Sequence, residues 1–417
     1  MRKSICIIAL TPIARDARVL RQIHYLSPLY DLTVIGYGPP HPSFADSPAI
    51  NWVQLDRLLQ PTVPNLRAAL RSLDLENLNL PHHAAKRVNR YFNKALLWMS
   101  NASPRLHELW YKRQPFARSV LACAIRARCH AYHANDWNTL PMAAAAARKT
   151  HAALVLDLHE YAPLQYMEHM EGPTLEKQKR LITYTLQKYL PQVDAAVTVA
   201  APLARRYREE FGIQPTVIMN TPERVEIPPP SMDSSSVNII HHGMVSKGRR
   251  PELMIETIAR CDSRYNLHLM LLPHDYLSEL KSLAEKRAPG RVFFHDTVPP
   301  EDIIREISRY DVGLCIFPPV NYSSFASLPN KFFDYICAGL AVCTGPSPSM
   351  TEIIRRYEVG LVCDTFEPED MASMLNQTSV EQWLKMRKAA RIASTDLNAE
   401  VEMGKLVHLY DSLLSVS

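Results

Sequence analysis

Short apolar runs alternate with stretches of helical periodicity along most of the chain, and few folds accept that pattern. The first run, Ile5-Cys6-Ile7-Ile8-Ala9-Leu10, ends at a turn, and Val19, Leu20, Ile23 and Leu26 follow at helical spacing. Further runs at 32–35, 131–133, 153–156, 195–199 and 216–219 are separated by helical patterns at 140–148, 175–189 and 202–211. A stretch rich in serine and proline, 221–236, has no periodicity and reads as a linker. Beyond it the series resumes with runs at 237–240, 267–272, 292–294, 312–316, 341–343 and 360–362, and with helices that include 251–260 and 331–338. Short apolar strands joined through helices predict parallel sheets covered on both faces. The expected architecture is α/β: two doubly wound, Rossmann-like domains facing across a cleft. The first spans 1–220 with a basic helical segment at 56–130, the linker is 221–236, the second domain is 237–397, and 398–417 forms a helix packing back on the first. Ligands on such sheets bind beyond the carboxyl ends of the strands, which makes the cleft the natural site.

Composition removes several alternatives. With 47% hydrophobic and 21% charged residues the chain is an ordinary globular one, so long disorder is excluded. No uncharged stretch approaches 18 strongly apolar residues, so no segment reads as membrane-spanning. Met1-Arg2-Lys3-Ser4 has the charge of a signal peptide, but the apolar run after it is too short and lacks a cleavage site, so it reads as a first strand. The 8 cysteines include no Cys-x-x-Cys pair. That pattern speaks against a zinc site or a disulfide framework and fits a reducing cytoplasm. Glycine is scarce at 12 residues, and neither a Gly-x-Gly-x-x-Gly fingerprint nor a P-loop occurs.

Three groups of residues could carry chemistry. In Ser327-Leu328-Pro329-Asn330-Lys331-Phe332-Phe333-Asp334-Tyr335, a helix beginning near Asn330 would point its free N–H groups and positive end toward the preceding strand. Lys331 adds a charge there, and Asp334, three residues on, shares its face. Such a pair suits a nucleoside diphosphate, with a cation for the phosphates and an acceptor for ribose hydroxyls; an amphipathic helix with an ordinary ion pair has the same spacing. The loop His241-His242-Gly243-Met244-Val245-Ser246-Lys247-Gly248-Arg249-Arg250 precedes a helix opened by Pro251 and offers a second anion site. In the first half, His133 with Asp136, and His159 with Glu160, each follow a strand. His133 reads as structural and His159 as a substrate contact; no His-x-x-x-His helix supports a metal site.

Asp157-Leu158-His159-Glu160, the loop from Gly243 to Arg249, and Leu328 to Tyr335 followed by Ala338-Gly339 together resemble the retaining glycosyltransferases of family 4, which have the GT-B fold. Val197-Thr198-Val199-Ala200-Ala201 and Val217-Ile218-Met219-Asn220-Thr221-Pro222 are similar to that family's segments before the linker. The resemblance leaves out about residues 56–130. It implies a nucleotide-sugar donor, carrying UDP, GDP or ADP, bound mainly by the second domain. Arg249 and Lys331 would hold the diphosphate and Asp334 the ribose, with Gly243, Ser327, Leu328 and Asn330 in the donor loops. His159 would act at the donor sugar, and Arg15, Asp136 and Glu160 would line the acceptor side. No metal ion or other cofactor is implied, because fixed cations can stabilise the departing diphosphate. The sequence departs from the family in three places: Ala326 stands where the first of two acids is usual, Met244 where an arginine is usual, and Asp334 replaces a glutamate.

The net charge of +5 hides an asymmetry. Between Arg57 and His130 thirteen Lys/Arg face three acids, an excess of ten, so the rest of the chain carries net −5. Within this region 84–99 reads as an amphipathic helix with Tyr91, Phe92 and Trp98 on one face and Lys86, Arg87, Arg90 and Lys94 on the other. It could lie on an anionic membrane or pack its apolar face inward as a domain helix. Nucleic acid is a poorer partner, since no binding motif accompanies the charge. The resulting expectation is a cytoplasmic hexosyltransferase, peripheral on the inner face of the plasma membrane, acting on a saccharide or lipid-linked acceptor in surface-polysaccharide assembly. A sugar-nucleotide 2-epimerase of similar shape and a nucleotide-binding scaffold are the alternatives.

Overall fold

The computed structural model describes residues 2–58, 103–165, 172–228, 231–233 and 235–415. Seven parallel strands form the first sheet: β1 (Ser4–Pro12), β2 (Asp31–Tyr37), β3 (Ile50–Gln54), β4 (Ala131–Asn135), β5 (Ala153–Leu158), β6 (Ala195–Thr198) and β7 (Thr216–Val217). They lie in the order β3-β2-β1-β4-β5-β6-β7. Six more form the second sheet: β8 (Val237–Gly243), β9 (Tyr265–Leu271), β10 (Val292–His295), β11 (Val312–Cys315), β12 (Ala341–Thr344) and β13 (Gly360–Val362), in the order β10-β9-β8-β11-β12-β13. Both are doubly wound sheets. Their order reverses between β1 and β4 and between β8 and β11, and a crevice opens at such a switch point.

Local sequence explains the central strands. Ile5 to Ile8 of β1 are wholly buried, with Ile7 opposite Val34 of β2 and His133 of β4. The helix Ala17–Leu26 starts at Asp16, whose carboxylate accepts from the Val19 N–H at 3.2 Å. Its buried face holds Val19, Ile23 and Leu26, but also Arg18 and Gln22. In the second sheet Ile239, Leu267, Leu269 and Leu314 meet Met254 and Ile258 of the helix Glu252–Arg260 in one apolar core that extends to Trp383.

Strand β3 is absent from the expectations drawn from the sequence. Ile50 is buried while the four residues after it are exposed or half-buried, so this edge strand lacks a continuous apolar run. Two helices, Pro104–Arg113 and Pro115–Ala127, occupy the described part of the basic segment. The basic amphipathic helix expected at 84–99 lies outside the described residues. Among the described residues no helix is long and apolar enough to cross a membrane.

The chain divides into two compact units. One comprises Met1–Val197, Tyr207–Thr216 and Val407–Ser417; the other comprises Thr198–Arg206 and Val217–Leu406. Set against the expected boundaries, 198–206 and the linker 221–236 fall in the second unit, and the last helix, Ala399–Ser415, is shared.

Candidate active site

At the switch point of the second sheet, β8 ends in Gly243 and β11 leads to the helix Asn330–Cys337. Lys331, in the first turn of that helix, is buried. Its Nζ lies 3.1 Å from Nε2 of His241 and 4.9 Å from the centroid of the Phe317 ring. The other nitrogen of His241, Nδ1, lies 2.8 Å from the Leu314 carbonyl, which can only accept, so Nδ1 carries the proton and Nε2 accepts from Lys331. Among the described residues no carboxylate stands at ion-pair distance from this ammonium. Burial, aided by Arg249 and opposed by Cys315 and Asp334, brings the Lys331 pKa down to about 7. Burial and Lys331 likewise hold His241 well below the ordinary imidazole range.

Arg249 is exposed at the end of the short turn Lys247–Arg249, and its charge is felt at both Lys331 and His241. Gly243 sits beside them at φ +105°, a conformation that favours glycine, and a Cβ there would lie 3.5 Å from Lys331 Nζ. Asp334 is half-buried, with Oδ2 3.4 Å from Nε2 of His242. Burial, then Lys331, pushes His242 down to about 3, so its ring is neutral.

The remaining donor-loop candidates make other contacts. Asn330 is exposed and its Oδ1 accepts from Asn220 Nδ2 at 2.7 Å. Ser327 donates from Oγ to the Ser324 carbonyl at 2.9 Å. Leu328 lines a cavity of about 250 Å³ with Ala200, Val217, Met219, Ile353 and Leu397. Ala326 is wholly buried, with its carbonyl held by Ser349 Oγ at 2.7 Å, so an acid at that position would have to be buried as well. Met244 is 57% exposed and brings no charge to the loop.

Next to the switch point of the first sheet, one strand beyond β4, stands Asp157 on β5, wholly buried. Arg18 grips it twice, with Nε 2.7 Å from Oδ2 and Nη2 2.8 Å from Oδ1, and Gln22 donates to Oδ2 at 2.6 Å. Gln22 also donates to Oδ1 of Asn135 at 3.1 Å. His159, just past β5, stands in this network with Nε2 3.2 Å from Asn135 Oδ1 and 3.6 Å from Asp157 Oδ2. Its Nδ1 lies 3.5 Å from Asp136 Oδ2. Asp136 adopts φ +64°, and its N–H donates to the Asp157 carbonyl at 2.8 Å, which turns its side chain back toward His159.

Burial opposes charge on His159, yet Asp136 and Asp157 raise it to about 9, so it is an imidazolium at neutral pH. Burial opposes charge on Asp157 too, but Arg18 and His159 keep it well below the usual carboxylate range. Burial pushes the Asp136 carboxyl upward, and neighbouring Asp157 and Asp16 add to the rise. His133 is wholly buried, with Nδ1 2.6 Å from the Tyr410 hydroxyl and Nε2 3.7 Å from Asp157 Oδ2, at the inner side of this cluster. Arg15 is exposed at the end of the turn Ile13–Arg15, and the Glu160 carbonyl accepts from the Tyr207 hydroxyl at 2.7 Å.

Arg18, Gln22, Asn135, His241 and His242 complete these two clusters, and sequence reading did not single them out as site residues. A signal existed for the first pair: Arg18 and Gln22 lie four apart on the same helix face as Val19, Ile23 and Leu26, where a solvated charge does not belong. Removing the guanidinium leaves Asp157 buried without its main partner. Arg18→Ala is expected to lower the unfolding free energy by about 3–5 kcal/mol, measured by urea denaturation. A loss below about 1 kcal/mol, typical of a surface pair, would contradict the placement.

Two doubly wound domains of this kind form the GT-B architecture of glycosyltransferases. The family model described as Glycosyltransferase Family 4 matches residues 90–221. Among solved structures the chain is similar to HepE from Anabaena in complex with UDP, with a TM-score of 0.67, 14% identity, and coverage of 99% of this chain and 100% of that one. HepE in complex with UDP-glucose gives a TM-score of 0.64 at 14% identity, covering 98% and 100% of the two chains. Sucrose-phosphate synthase from Thermosynechococcus elongatus gives 0.67 at 12% identity over 100% of both chains. No curated protein matches the sequence. The family match and the shared fold together support a glycosyltransferase.

Proposed function

We propose that the chain is a retaining, metal-independent hexosyltransferase. It moves a sugar from a UDP-, GDP- or ADP-sugar to a saccharide or lipid-linked acceptor during surface-polysaccharide assembly, on the cytoplasmic face of the membrane. The observation that carries this reading is Lys331: an amine buried at a helix start within the field of Arg249, with no carboxylate at ion-pair distance among the described residues. Such a group is costly to bury and gains its partner only when an anion arrives. Departure of a nucleoside diphosphate builds negative charge, which Lys331, Arg249 and the free N–H groups of the helix Asn330–Cys337 would stabilise. That charge balance supports a reaction without a metal ion. Asp334 accepts from the ribose. His159, protonated at neutral pH, has no lone pair with which to take a proton, so it serves as a hydrogen-bond donor to the sugar.

The test is to incubate the purified protein with UDP-, GDP- and ADP-sugars, with saccharide and lipid-linked acceptors, and to follow nucleotide release and the products formed. Acceptor-dependent release from one donor class is the expected outcome. The buried Ala326 and the uncharged Met244 favour a second reading, a nucleotide-binding scaffold, which tight nucleotide binding without turnover would support. A product isomerised without acceptor would point to an epimerase.

A further inference from the structure

A cavity of about 440 Å³ lies at the edge of the first sheet. Thr33 of β2, Asn51, Trp52 and Gln54 of β3, and Cys123 and Arg126 of the helix Pro115–Ala127 line it. Its volume falls within the roughly 300–1,000 Å³ of small-molecule sites. Thr33 and Asn51 pair early in their strands, and Arg126 ends the helix that leads to β4, so the cavity stands toward the amino ends of the strands. Asp136 and His159 follow the carboxyl ends of β4 and β5, which separates this cavity from the cluster they form. Successive residues of β3 alternate between its faces, yet 51–54 all line the cavity, so it wraps the outer edge of that outermost strand.

Arg126 is the one charged group among the lining residues, and no carboxylate joins it. Its guanidinium makes no hydrogen bond or ion pair to another described residue, and the same holds for the amides of Asn51 and Gln54. The helix end brings about half a unit of negative charge, which Arg126 and the adjoining Arg128 more than offset. We propose that this cavity is a second ligand site that takes an anionic sugar, with the carboxylate or phosphate on Arg126 and the hydroxyls on Asn51, Gln54 and the edge of β3. A guanidinium fork matches either anion, and an amide both donates to and accepts from a hydroxyl. Trp52 spends its Nε1–H on the Phe44 carbonyl at 3.3 Å, which leaves its ring as the apolar surface for a sugar face. The occupant is bound there and not consumed, and it gives the excess of positive charge in the segment from Arg57 to His130 an anion to meet.

Cys123 supplies the test, because it is half-buried while the other seven cysteines are buried. Labelling the full chain with a maleimide should show one fast thiol, absent in Cys123→Ser. Glucuronate or glucose-6-phosphate, at about ten times its dissociation constant, should slow that labelling about tenfold. Protection by the first alone assigns the anion to a carboxylate, by the second alone to a phosphate, and either result supports the inference. Arg126→Gln should weaken binding by about ten- to a hundredfold, the range for hydrogen bonds to a charged group, and Asn51→Ala by about two- to tenfold. Titration calorimetry on the same proteins reads binding without the thiol. Binding of neither acid, equal binding of neutral glucose or of inorganic phosphate, or unchanged affinity in Arg126→Gln overturns the inference. Each of these results leaves the donor-site reading standing, since that reading rests on Lys331.

Discussion

Nucleoside diphosphate binding at pH 8 is expected to take up close to one proton, and Lys331→Met is expected to weaken it by about a hundredfold or more. With its pKa near 7, Lys331 is mostly neutral in the empty site at pH 8. A bound diphosphate restores the ammonium, so binding and protonation are linked. Affinity should fall by about tenfold for each pH unit above 7, until the pKa of the occupied site is reached. Titration calorimetry at pH 8 in two buffers of different ionisation enthalpy measures the uptake directly. Binding without uptake, and independent of pH from 7 to 9, would show that Lys331 does not meet the phosphates. The same substitution should raise the melting temperature, since it removes a buried charge that has no carboxylate at ion-pair distance among the described residues. The folded-state pKa lies below the ordinary 10.5, so the stability contributed by the neutral lysine is present at high pH and is lost as pH falls toward 7. The advantage of Lys331→Met should therefore grow as pH drops from about 10 to 7 and level off below.

His159→Ala is expected to leave nucleotide affinity within about twofold and to lower turnover by about a hundred- to a thousandfold, the range for losing one donor in a preorganised site. The imidazolium is held by Asp136 and Asp157, and its pKa of about 9 sets the pH at which activity fades. Turnover should stay level through neutrality and fall as pH passes about 9. Asp136→Asn should move that limb to lower pH, because one of the two raising charges is gone. Stability follows the same direction. A folded-state pKa above the ordinary 6.5 adds stability that is complete below 6.5 and is lost as pH rises through 9. A pH–rate profile on wild type and Asp136→Asn checks this, and a limb that does not move would remove Asp136 from the environment of His159.

The central strands could be read from the sequence because burial on both faces makes each a continuous apolar run, as Ile5 to Ile8 and Val312 to Cys315 illustrate. The helix carrying Lys331 and Asp334 could be read as well, since Pro329 precedes its first turn and its apolar face recurs at Phe332, Phe333 and Ile336. The partners of the site residues could not. Arg18 and Asp157 are separated by 139 positions, and Lys331 and His241 by 90. Only the winding of the sheets brings each pair together, and no local pattern encodes it. The consecutive pair His241-His242 offers no periodic cue, because alternation on a strand sends the two rings to different partners, Lys331 and Asp334. The edge strand β3 escaped notice for the opposite reason: with one flank open to water it has no apolar run to display.

The helix Ala399–Ser415 has a consequence for the order in which the protein is made. Its last turns, from Val407 onward, belong to the unit that otherwise begins at Met1. There Tyr410 meets the buried His133, and Asp411 accepts from the Tyr30 hydroxyl. A nascent chain emerging from the ribosome thus cannot close its first globule when that globule's own strands have been translated; the slot beside β4 stays open until some two hundred further residues have followed β7. The second globule, whose residues are all made by Leu406, can mature while the first is still waiting for its final stave.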